Sequence, residues 1–244
     1  MSFSKDYSKI ILIFFIILFL YFFSLNIYQM HDQHWTAILD QDIRIIYNSL
    51  LISSGFEQIY RDHPAYTTLL LLGGVYKFFS IFFDNFTIQE ILVSKSIDEN
   101  LQTLFVIARV LNSIYFFLVA LILFAILREL NIKKNICVFS TFSIVFLCAT
   151  YELLFLIRSE ILSVLMALLF LYYLIKFIKK KNKISYCFFS GFFFCLAMLA
   201  KTQIIFLFLT FLVILPFLFN YFEISENKNY LIHQRKYYIL SLFF

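Results

Sequence analysis

Tyr66–Phe83, YTTLLLLGGVYKFFSIFF, is the stretch that decides how this chain is threaded. It is about 18 residues long, the lower limit for a membrane helix, and carries Gly73-Gly74 and Lys77 in its middle. Stronger apolar runs surround it: roughly Ile10–Tyr28, Leu104–Leu127, Ile136–Ile157, Ile161–Ile178, Ile184–Ala200 and Ile204–Phe222, with another beginning near Tyr237. Basic residues gather in Arg128 with Lys133 and Lys134, in Lys176 to Lys183, and in Lys228 to Lys236. If every strong run crosses once and Tyr66–Phe83 does not, all three clusters share one side with Lys5 and Lys9, as the positive-inside rule requires. If Tyr66–Phe83 crosses, the clusters are translocated while the N-terminal lysines stay inside. The segment therefore reads as an interfacial or re-entrant helix packed against a bundle, and residues 29–102 as one large extracytoplasmic loop.

Composition agrees with this threading. The 244 residues are 62% hydrophobic, 21% aromatic and only 14% charged, with a mean hydropathy of +0.87. That is too little polar surface for a soluble fold of this size. Gly and Pro number four and two, which favours long uninterrupted helices over a barrel of short alternating strands. The expected class is all-α, a polytopic helical membrane protein forming a single transmembrane domain over residues 1–244. The net charge of +5 follows from topology and does not point to nucleic acid. The four cysteines lie in or beside apolar runs without metal-like spacing and read as small core residues. The N-terminal run lacks a small-residue cleavage site after Leu25 and reads as a retained first span. The chain stops at Phe244 inside an apolar run, so later helices or a C-terminal domain are expected to be missing.

The loop holds most of the chemistry. Leu39-Asp40-Gln41-Asp42 and Tyr60-Arg61-Asp62-His63-Pro64-Ala65-Tyr66 form a polar island just after the first span, and ionisable groups held at a membrane are usually functional. From Asp42 to Ser53, Ile43, Ile46, Tyr47, Leu50 and Leu51 fall at helical spacing with Arg44, Asn48 and Ser49 between them. This predicts an amphipathic helix with Asp40 or Asp42 at its N-terminus and Gly55 as C-terminal cap. Further charges sit at outer span junctions: Arg109, Arg158 with Glu160, and Lys201. Arg109 and Lys201 equally suit snorkelling to headgroups, and both acids suit helix capping.

Taken together, the order of these elements resembles the GT-C class of glycosyltransferases, the group of protein O-mannosyltransferases and the aminoarabinose transferase. Asp40 lies 15 residues before Gly55, matching the first acid of that class's pair; Gln41 stands where the second normally falls, with Asp42 beside it. His63-Pro64-Ala65-Tyr66 matches the class's Lys/His-Pro segment with a single Pro. Ala108-Arg109-Val110-Leu111-Asn112-Ser113 matches its Ala-Arg-Leu-Pro-Ser-like entry, and Ala200-Lys201-Thr202-Gln203 its Thr-Lys-Gly/Gln-like element. The resemblance covers residues 1 to about 215.

It implies a GT-C-like bundle that moves a sugar from a polyprenyl-phosphate donor to a lipid, glycan or protein acceptor on the extracytoplasmic face, with inversion at the anomeric carbon. Asp40 and Asp42 are the candidates for general base; which of them acts is open. Arg61, His63, Arg109 and Lys201 are the candidates for the donor phosphate. Arg158 and Glu160 either pair with each other or bind the donor. No cofactor is assigned, and a divalent metal is compatible with the site but not indicated: beside His31, Asp32 and His34 no fourth ligand is evident. The expected location is a bacterial inner membrane with the N-terminus cytoplasmic. The main rival is a transporter or flippase for a lipid-linked substrate, which would place ionisable residues near mid-span; here they concentrate at outer span ends and in the loop.

Overall fold

The computed structural model describes residues 13–25, 40–59, 65–144, 156–179, 184–207, 209–210, 212–214 and 216–217, without the side chains of residues 40 and 41. Among these residues the chain is helical, with no strand. In chain order the helices are α1 (Ile13–Leu25), α2 (Asp40–Ser53), α3 (Tyr66–Phe79), α4 (Ile88–Val93), α5 (Ile97–Glu129), α6 (Lys134–Ser143), α7 (Ser159–Lys179) and α8 (Ile184–Ala200), with apolar helical turns resuming at Ile204.

Helices α5 and α7 are long and apolar enough to cross a membrane, with 33 and 21 residues and mean hydropathies of 2.6 and 2.4. They run parallel: Asn112 of α5 meets Leu156 just before α7, and at the far end Lys179 bonds Glu129 at 3.1 Å. α8 returns antiparallel to α7, so that Ser190 Oγ donates to Phe170 O and Lys201 meets Glu160. α1 is antiparallel to α5, with Phe22 against Phe116 and Phe15 against Phe124. One end of the bundle thus collects the end of α1, the first half of α5, the start of α7 and the end of α8. The described basic residues Arg128, Lys133, Lys134, Lys176 and Lys179 gather at the other.

Among the described residues no polar face separates this bundle from its surroundings. On α1, Phe15, Leu18 and Phe22 pack inward, while Ile13, Ile16, Ile17 and Leu20 are exposed at the complementary helical positions. Ile184, Phe188 and Phe192 of α8 are exposed in the same way. Such a contiguous apolar surface is untenable in water and suits hydrocarbon. The all-α membrane class holds.

α5 begins well before Leu104 because Asp98 and Glu99 in its first turn favour the positive end of the helix dipole. At 1.5 Å per residue it is about 50 Å long, so part of it projects beyond a hydrocarbon core of about 30 Å. The first third of α5 carries a second core: Ile46 and Leu50 of α2, Leu72 and Tyr76 of α3, and Phe86 and Ile91 close around Leu104, Phe105 and Ala108. α3 is tied to the same end of the bundle twice. Thr67 Oγ1 donates to Leu196 O at 2.9 Å and the buried Tyr76 hydroxyl to Leu104 O at 3.1 Å. With 14 residues it is about 21 Å long, shorter than the hydrocarbon core.

α2 ends as expected. Gly55 adopts φ +81°, and the amides of Gly55 and Phe56 return to Ile52 O and Leu51 O in a Schellman turn. Its polar face departs from expectation: Asn48 and Ser49 are buried. α3 covers them, because Gly73 lets the two backbones approach until a Cβ there would lie 2.9 Å from Ser49 O. Their polar groups are satisfied locally, Ser49 Oγ donating to Ile45 O, Asn48 Nδ2 to Arg44 O, and Asn48 Oδ1 accepting from Ile59 N–H.

Candidate active site

Asp42 lies in the first turn of α2 and is fully shielded from solvent. Its Oδ2 accepts the N–H of Ile157 at 3.1 Å, across 115 residues of sequence. Its Oδ1 has no hydrogen-bond partner among the described residues. Burial pushes its carboxyl up to about 6, against the opposing pull of the Ile157 N–H and the positive charges of Arg158 and Arg109; the negative charge of Glu160 adds to the rise. A carboxyl titrating near neutrality with one uncommitted oxygen has the properties of a general base.

The Ile157 amide is held from its other side as well. Asn112 Nδ2 donates to Leu156 O at 2.6 Å. Arg109 lies one turn earlier on the same face of α5 and is 1% exposed, so it does not reach for headgroups but turns inward, where its charge acts on Asp42. Ser113 Oγ donates to Phe22 O, anchoring this turn of α5 to α1.

Arg158 follows the clamped peptide and precedes α7. Its Nε is buried with no partner among the described residues. Glu160, two residues on, does not pair with it; Glu160 Oε1 instead accepts from Lys201 Nζ at 2.6 Å. α7 rises from the peptide held by α2 and α5, and the turn after α8 reaches back to the first turn of α7, which is why Lys201 rather than Arg158 takes the Glu160 carboxylate.

The structure therefore brings Asp42, Arg109, Arg158, Glu160 and Lys201 to one end of the bundle. Asp40 begins α2, but its side chain lies outside the described residues, as do Arg61, His63, His31, Asp32 and His34. Among the described residues no group of three or more His, Cys, Asp or Glu is placed to hold a metal ion. Asn112 was not singled out from sequence, although an amide one helical turn from Arg109 inside an apolar run is the signal that marks it.

The family model for dolichyl-phosphate-mannose-protein mannosyltransferase matches residues 102–244, more than half of the chain. The chain belongs to this family. No curated protein and no solved structure matches it. It is thus a GT-C-type glycosyltransferase. The mannosyltransferase match takes in Arg109, Asn112, Arg158, Glu160 and Lys201 but begins after α2 and α3. The bond from Ile157 N–H to Asp42 joins the matched part to the acid that precedes it.

Proposed function

We propose that this mannosyltransferase-family chain transfers a sugar, mannose by the family's description, from a polyprenyl phosphate to an acceptor hydroxyl on the extracytoplasmic face of the membrane, with Asp42 as general base. The observation that carries the reading is the buried carboxylate of Asp42, with one oxygen uncommitted and the charges of Arg109 and Arg158 acting on it. Oδ1 takes the acceptor proton as the acceptor oxygen forms its bond to the anomeric carbon. The bond from that carbon to the phosphate oxygen breaks, and the electron pair leaves with the polyprenyl phosphate. Attack opposite the leaving group inverts the anomeric centre. Arginine suits the departing phosphate because its planar fork binds two oxygens at once, and in a water-poor site such charges stabilise the leaving group strongly. Because Asp42 is shielded from solvent, the acceptor hydroxyl needs a path to Oδ1. The basic residues at the opposite end of the bundle support this sidedness.

The test is transfer from a synthetic polyprenyl-phosphate mannose by the purified chain in nanodiscs, comparing wild type with Asp42→Asn and Asp40→Asn. The expected result is loss of turnover in Asp42→Asn with donor binding retained. Full turnover in Asp42→Asn together with loss in Asp40→Asn would move the base to Asp40; donor binding without turnover in the wild type would sink the transferase assignment.

A further inference from the structure

We propose that Asn112 is the positioning residue of this site: by gripping the Leu156 carbonyl it sets, through one peptide group, both the hydrogen bond that Asp42 accepts and the direction from which Arg158 enters. The inference rests on the proposed transfer only for its kinetic consequence.

Leu156 C=O and Ile157 N–H belong to the same amide plane, which is rigid. Asn112 holds its oxygen at 2.6 Å from α5, and Asp42 takes its N–H at 3.1 Å from α2. The two bonds pull on opposite edges of one plane, so the peptide cannot swivel without breaking one of them. Ile157, Asn112 and Asp42 are all buried, so water is not at hand to replace a lost bond. In such surroundings hydrogen bonds in series polarise one another. Donation into the carbonyl makes the amide N–H a better donor to the carboxylate.

Arg158 is the next residue, and its backbone leaves the clamped plane directly. Without the Asn112 bond the Leu156–Ile157 peptide would keep only its hydrogen bond to Asp42, and the backbone from which Arg158 departs would be free to turn about it. Asn112 is also one turn from Arg109, so a single face of α5 supplies a cation and the grip that places the second cation. Among the described residues the charged groups acting on Asp42 are Arg109 on α5 and Arg158 and Glu160 at the start of α7, Glu160 being bonded to Lys201 after α8.

A purely structural asparagine would lower stability when replaced and leave the titration of Asp42 alone. The experiment reads the protonation of Asp42 directly, by infrared difference spectroscopy on the full chain in nanodiscs. The Asp42 band is assigned by its absence in Asp42→Asn. In Asn112→Leu, or in Asn112→Ala if the leucine variant does not fold, the midpoint is expected to rise by about one pH unit as the Ile157 bond slackens. In the wild type, exchange of the Ile157 amide is expected to be as slow as in the interior of α7, although Ile157 lies outside any helix. An unchanged midpoint in a folded variant, or exchange of the Ile157 amide as fast as in an exposed loop, would overturn the proposal. Neither readout requires turnover, so an inactive wild type would overturn the transferase reading and leave this one standing.

Discussion

Glu160, in the first turn of α7, holds Lys201, the residue after α8, at 2.6 Å. The Lys201 charge is therefore engaged by a carboxylate, with which, under the proposed function, a donor phosphate would compete. Both side chains are part-exposed, so the pair adds little stability, ~0–1 kcal/mol. Glu160→Gln is expected to tighten donor binding several-fold and Lys201→Gln to weaken it, with melting temperatures nearly unchanged. Titration with a polyprenyl phosphate measures both; weakening in both variants would show that the pair acts as a unit.

The rate of transfer should depend on the ionisation of Asp42. A base has to be deprotonated, and burial lifts this carboxyl to about 6, so kcat/KM is expected to climb from pH 5 to pH 7 and then level. Asp42→Asn should lose that limb together with ~10²–10⁴-fold in rate. A limb that survives in the variant would assign it to another group.

The same ionisation makes stability depend on pH in the less usual direction for a carboxylate. The Asp42 pKa is raised from 3.8 to about 6 on folding, so between those values the folded chain keeps a proton that the unfolded chain has released. Its contribution is fully present below about pH 4 and is lost as pH rises through about 6. The loss is on the order of 3 kcal/mol at neutral pH. Asp42→Asn, a mimic of the protonated form, is expected to melt above the wild type at pH 7.5 and level with it at pH 4. Thermal unfolding in detergent across that range provides the check.

Neighbouring glycines of α3 should respond oppositely to alanine. A Cβ on Gly73 would sit 2.9 Å from the backbone oxygen of Ser49, whereas one on Gly74 meets nothing within 4 Å. Gly73→Ala forces α2 and α3 apart at a cost of about 1–3 kcal/mol. Gly74→Ala gains helix propensity, up to about 1 kcal/mol. Melting temperatures that fall for the first and hold or rise for the second would confirm the close crossing.

Much of the architecture is legible in residue type alone. α8 matches its expected bounds, Ile184–Ala200, because lysines flank the apolar run on both sides. Gly55 ends α2 because it alone tolerates the backbone turn there. What escapes local reading is whatever depends on a partner. Nothing near Asn48 and Ser49 announces that α3 will cover them, since the cause is Gly73. The site residues Asp42, Arg109, Arg158, Glu160 and Lys201 stand out as charges in an apolar chain, but their pairing follows from contacts between distant elements. Asn112 carries no charge, and its role emerges only once Leu156 is seen against it.

The 115 residues between Asp42 and Ile157 also set a clock. At about 5–20 residues per second, on the order of ten seconds of synthesis separates the acid from the amide that receives it. The burial that raises the proton affinity of this carboxyl cannot be complete until the peptide before α7 has been made and has met α2.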